Sequence, residues 1–136
     1  MITIMFCMFL ITFAVGLTAF YVRVASVKQG KISPRYFLLM HDKDNCPELV
    51  QKTTRNFNNQ FEIPVLFYVV CTLLIVLKIE NTAAYYIAWA FVASRALHAI
   101  IHIGYNKLLH RVAVYWLGVF MVVALWVILF LNQKPI

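Results

Sequence analysis

A chain of 136 residues that is 63% hydrophobic and only 12% charged lies far from the balance of a soluble domain, and it has room for one domain. Its formal net charge of +7 invites a nucleic-acid reading. The placement of that charge argues against it: the bases are gathered between apolar stretches, and no recognition motif stands beside them.

A bilayer core asks for about 20 mainly apolar residues per helical span, and four stretches supply them. The first helix is expected over about 2–27, with residues 2–22 free of charge. Residues 1–5 have no basic n-region and the apolar run exceeds a usual h-region, so this span is read as retained and not as a cleaved signal. Residues 28–54 make the long connection. Gly30, Pro34, Asn45 and Pro47 predict turns in it, and Tyr36 to Met40 a short amphipathic piece. The second helix, about 56–78, carries one acid, Glu62. The third, about 82–106, carries Arg95 and two histidines, and the fourth, about 109–132, is uncharged from Val112 onward. The joints at 78–81 and 107–111 are short, and short joints make antiparallel neighbours. The expected fold is all-α, an up-down four-helix membrane bundle in one domain over 1–136.

Lys28, Lys31, Arg35, Lys43, Lys52 and Arg55 fall between the first and second spans, and Lys107 and Arg111 between the third and fourth. The other side has Lys78 and Lys134 against Glu80. The positive-inside bias then puts the basic loops in the cytoplasm and both termini away from it. Cys7 and Cys71 lie in spans and Cys46 in the loop, which is no disulfide framework. Tyr85 and Tyr86 mark the far interface, while Tyr105 and Tyr115 bracket the near one.

Ionisable groups inside spans are expensive and face protein or a wet cavity, so they are where chemistry is sought. Arg55, Asn59 and Glu62 are spaced i, i+4, i+7, along one helix face. Arg95, His98 and His102 are spaced i, i+3, i+7, along another. At about 1.5 Å per residue, Arg95 lies roughly 15 Å inside its helix end and Glu62 on the order of 10 Å inside its own, so the two are expected partners. Arg23 ends the first span and Arg111 begins the fourth, so all eight are expected to converge on the cytoplasmic half. Surplus cations around one acid call for an anionic ligand, a carboxylate or a thiolate. A metal site on His98 and His102 lacks a third ligand of diagnostic spacing, so no metal is expected. A proton-driven drug exporter built on Glu62 is disfavoured by the arginines around it.

The run from Arg55 through Glu62, followed by Pro64, resembles the R-x-x-x-N-x-x-E signature of the MAPEG family, the membrane-associated proteins of eicosanoid and glutathione metabolism. Arg95-x-x-His98, with Arg111 and Tyr115 downstream, is similar to the glutathione transferase and prostaglandin synthase branches. The run from Asn59 to Tyr68 looks most like the bacterial branch, which implies an inner-membrane protein. The resemblance implies a homotrimer with interfacial sites open to the cytoplasm. There Arg23, Arg55, Asn59, Glu62 and Arg95 would bind glutathione, with His98, His102 and Tyr115 beside them. Arg111 would stabilise the thiolate for attack on a hydrophobic substrate, or a lipid hydroperoxide, arriving from the bilayer lipid. This chain departs from the enzymes at His102, where they usually carry a tyrosine. It departs from the prostaglandin synthase branch at Asn58, where that branch carries a base. A non-enzymatic lipid- or partner-binding protein on the same scaffold is the alternative.

Overall fold

The computed structural model of the chain describes residues 1–39 and 46–133; Met40, Lys43, Asn45 and Lys134 lie outside the described residues. Regular structure among the described residues is helical: α1 (Ile2–Lys28), a short α2 (Tyr36–Leu39), α3 (Glu48–Asn58), α4 (Ile63–Val76), α5 (Thr82–Ile103) and α6 (Leu108–Asn132). Four segments are long and apolar enough to cross a bilayer, with α3 and α4 together making one of them, Glu48–Val76.

Local chemistry sets the helix ends. α1 stops where Gly30 adopts φ +67°, and the N–H groups of Gly30 and Lys31 return to the Val27 and Ser26 carbonyls, each at 3.0 Å. α4 stops in the same way at Lys78, φ +53°, with Ile79 N–H bonded to the Leu74 carbonyl at 2.9 Å. α5 starts at Asn81, whose side chain accepts from Ala84 N–H at 2.9 Å, a side-chain N-cap.

The second crossing differs from the expected single helix over 56–78 in two respects. It starts earlier, at Glu48, because the first turns of α3 are polar and a count of apolar residues does not see them. Pro47 precedes the helix, Glu48 sits in the positive end of its dipole, and Lys52 pairs with Glu48 at 2.6 Å one turn on. The crossing is also broken. After Asn58 the chain makes a 3-10 turn, Asn59–Phe61, and Glu62 leaves the helical region at φ −94°, ψ −101° before α4 begins. Pro64 favours the break: it has no N–H to offer the Gln60 carbonyl, and its ring crowds the preceding turn.

α5 is the central helix, packed against α6, α1 and α3, while α4 leans on α6. The main core lies toward the Met1 end, around Ile4, Met8, Cys71, Leu125 and the stacked rings of Phe67 and Phe91, whose centroids are 4.4 Å apart. A smaller cluster of Val22, Ile32, Cys46 and Val50 ties the connection after α1 onto α3 at the basic end. Gly118 lets α6 approach α5 closely, since a Cβ there would stand 3.3 Å from Ser94 Oγ. Phe6, Phe13 and Phe20 of α1 and Phe120, Phe130 and Leu131 of α6 point outward, while Asn56, Gln60, Ser94, Arg95, His98 and His102 are buried. Apolar outside and polar inside is the arrangement a bilayer selects.

Candidate functional site

The inward face of α5 carries Arg95, His98 and His102 one above another, as their spacing requires, and all three are buried. Arg95 is 0% exposed, so its charge must be answered by protein or ligand. Its Nη2 donates to the main-chain carbonyl of Asn59 at 2.9 Å. In an unbroken helix that carbonyl would be taken by the N–H of residue 63; here the break has released it, and the guanidinium caps it.

Glu62 and Arg95 are therefore neighbours but do not form the expected direct pair: among the described residues the only ion pair is Lys52–Glu48. Tyr115 stands between them. Its hydroxyl donates to Glu62 Oε2 at 3.1 Å, and its ring lies 5.7 Å from the Arg95 guanidinium carbon. The aromatic face takes the cation and the phenol takes the carboxylate. The result is a closed ring from Arg95 to the Asn59 carbonyl, along the broken turn to Glu62, and through Tyr115 back to Arg95.

His98 lies 5.7 Å, ring to ring, from His102 and 5.9 Å from Tyr115. His98 is within electrostatic reach of Arg95 and Arg111, and His102 of Arg111, Arg55 and Lys52. Several polar atoms here are buried without a protein partner: Arg95 Nε and Nη1, and the Nδ1 atoms of His98 and His102. Such atoms are rarely left so unless water or a ligand completes them. Among the described residues no three His, Cys, Asp or Glu come together.

Arg111 is held from the side. Its Nη1 donates to Asn106 Oδ1 at 2.9 Å, and Asn106 has φ +49°, a left-handed position that asparagine tolerates. Arg23 lies at the same end of the bundle as the other seven but is held by different neighbours. It donates to Thr54 Oγ1 at 3.0 Å and lies 5.8 Å from the Phe37 ring. It lines a groove of about 770 Å³ with Phe13, Phe20, Phe57, Gln60 and Phe61. On α3 Phe57 lies roughly opposite Arg55, so the groove that Phe57 lines with Arg23 is on the far side of that helix from Arg55. A second groove of about 350 Å³ starts at Ile63, the residue after Glu62, and runs between α4 and α6 past Leu66, Val122 and Trp126 to Phe130.

Sequence reasoning passes over Asn56, Gln60, Asn106 and Gly118. Asn56 Nδ2 donates to the Ala99 carbonyl at 3.4 Å, joining α3 to α5 beside the histidines, and Gln60 Nε2 donates back to the Asn56 carbonyl at 3.3 Å. Their i, i+4 spacing on the side of α3 away from Arg55 is a readable signal of a second polar face. Asn106 has no comparable signal, since a side chain that anchors Arg111 looks in sequence like any loop asparagine.

Compared with known proteins, the sequence model described as the MAPEG family matches residues 1–131. No curated protein and no solved structure matches the chain significantly.

Proposed function

Since the chain belongs to the MAPEG family and is an integral multi-pass membrane protein, we propose that it is a glutathione-dependent membrane transferase or peroxidase. The observation that carries this reading is the surplus of donors: buried, unpartnered N–H groups of Arg95, with the Nδ1 atoms of His98 and His102 beside them, flanked by Arg55 and Arg111. Such a surround favours a polyanionic ligand with a thiolate.

In the proposed site Arg55, Asn59, Glu62, Arg95, His98, His102 and Tyr115 receive the tripeptide. Glu62 has an oxygen beyond the one Tyr115 engages, which suits the ligand's ammonium group. Arg111 faces the sulfur. The thiol, of ordinary pKa about 8.5, releases its proton to water, and a guanidinium that never titrates favours the anion. The sulfur then attacks an electrophilic carbon, whose leaving group departs with the bonding electrons and takes up a proton. The groove that begins beside Glu62 suits an apolar co-substrate entering from lipid.

Titrating the purified protein with glutathione tests the reading directly. Thiolate absorbance in the ultraviolet is expected to rise with bound ligand at neutral pH, where free glutathione is mostly thiol. If the wild-type protein neither binds glutathione at millimolar concentration nor raises that absorbance, the scaffold is non-enzymatic.

The basic end is proposed to face the cytoplasm of a bacterial inner membrane, because its loops carry Lys28, Lys31, Arg35 and Lys107 among others while the other end has only Lys78 and Lys134 against Glu80. In a background with Cys7, Cys46 and Cys71 replaced, Lys31→Cys should react with an impermeant maleimide only after the membrane is opened. Glu80→Cys should react in intact cells. The reverse pattern would put the site on the outer side.

A homotrimer is proposed from the apolar groove that holds Arg23 away from its fellow arginines. A partner subunit filling the groove would bring Arg23 to a neighbouring site and shield the polar residues from lipid. The native mass in detergent, corrected for bound detergent, should be three times that of the chain. A monomer that still binds glutathione would exclude this assembly.

A further inference from the structure

We infer that Arg95, besides any ligand contact, is a positioning residue: it holds the second crossing open at its break and through that break aims Glu62 at the ligand. The functional arm of the inference rests on the glutathione reading, and the structural arm does not.

Pro64 removes a donor from the turn before it, but a missing donor by itself only loosens a helix. The Asn59 carbonyl, which lacks the Ile63 N–H that an unbroken helix would give it, would gain by closing back toward α4. Arg95 takes that carbonyl at 2.9 Å from a position with 0% exposure, across 36 residues of sequence. The clamp is itself braced. Tyr115 covers the guanidinium, and Gly118 leaves α6 close enough that a Cβ there would be 3.8 Å from Arg95 Cδ. Downstream, Val65 N–H bonds to the Glu62 carbonyl at 3.2 Å, so α4 starts afresh from Glu62. The Glu62 backbone, at ψ −101°, turns its carboxylate to the Tyr115 hydroxyl. Glu62 thus owes its direction to a residue it does not touch.

Two measurements test this. The first is hydrogen exchange of the amides at 59–65 in the wild type, Arg95→Gln, Pro64→Ala and the double variant. Arg95→Gln should speed exchange in this window about tenfold, and Pro64→Ala alone should change it little. The double variant should be protected beyond the wild type, as the two halves join into one helix. The second is glutathione affinity in a cycle with Glu62→Gln. Arg95→Gln should weaken binding about tenfold in the wild type and at most about twofold in the Glu62→Gln background. The rejoined double variant should be folded yet not recover affinity, which separates aim from stability. Arg95→Lys, which keeps the charge but not the planar fork, should behave like Arg95→Gln in exchange.

Unchanged exchange at 59–65 in Arg95→Gln overturns the clamp. Equal loss of affinity with and without Glu62 overturns its action through Glu62. If the wild-type protein does not bind glutathione, the second arm fails together with the proposed function, and exchange still decides the clamp.

Discussion

Arg111→Ala should lower turnover about 10- to 1000-fold while leaving most glutathione binding intact, if one electrostatic donor to the sulfur contributes about 1.4–4 kcal/mol. Arg111 opens α6 at the bundle's basic end, whereas Arg95 is sealed inside. In the proposed site a tripeptide lying between them would meet the buried donors with its carboxylates and Arg111 with its cysteine. Removing Arg111 should therefore raise the pKa of the bound thiol toward that of free glutathione. Ultraviolet titration of the complex reads that shift, and kcat should fall with little change in KM. Arg111→Lys should recover only part of the rate, because an ammonium on a flexible stem does not present the planar fork that Asn106 holds in place. Arg55→Ala should do the reverse, raising KM with a smaller effect on kcat. Equal effects of the two substitutions on KM and kcat would mean that the arginines share one role.

Gly118→Val should both destabilise the bundle and disable the site. Helices in a membrane associate through close packing of small residues, since lipid offers no hydrophobic gain to drive them together. Even the Cβ of an alanine at 118 would meet Ser94 Oγ at 3.3 Å, and that hydroxyl is committed to the Phe91 carbonyl at 2.7 Å. Two further methyls have no room, so α6 must move outward. The expected loss is about 1–3 kcal/mol, the range for overpacking, seen as a lower melting temperature in detergent by tryptophan fluorescence. The displacement also carries Tyr115 away from Glu62 and Arg95, so glutathione binding should fall at temperatures where the protein remains folded. Gly118→Ala should show a small version of both effects. A Gly118→Val protein with unchanged melting and affinity would mean that α5 and α6 do not meet this closely.

Much of this arrangement is legible in the order and spacing of the residues. Four apolar runs and their joints define the bundle, and helical spacing alone puts Arg95, His98 and His102 on one inward face. What escapes are features made by contacts between distant residues. Spacing brings Glu62 and Arg95 to the same depth, but it cannot reveal that Tyr115 occupies the space between them. Pro64 announces a disturbance, and the residue that exploits it lies on another helix. The start of α3 escapes for a different reason: its first turns rest on a proline entry, the helix dipole and the small cluster around Val50, and those terms are invisible to hydropathy. Arg23 shares the depth of the other arginines, and depth says nothing about which side of α3 a residue occupies.

The left-handed turn at Asn106 bears on how fast a ligand can be captured. A long cationic side chain waving in headgroup water samples many rotamers, and each encounter must wait for the right one, a loss of about 2 kcal/mol in rotamer freedom when it arrives. Asn106 reaches back to Arg111 across the start of α6 and fixes one edge of the guanidinium, leaving the other edge for a guest. That ordering is completed when the chain folds, so in the proposed site an incoming thiol would meet a cation already at rest, and its association should be set by diffusion into the cleft and not by the search of the arginine.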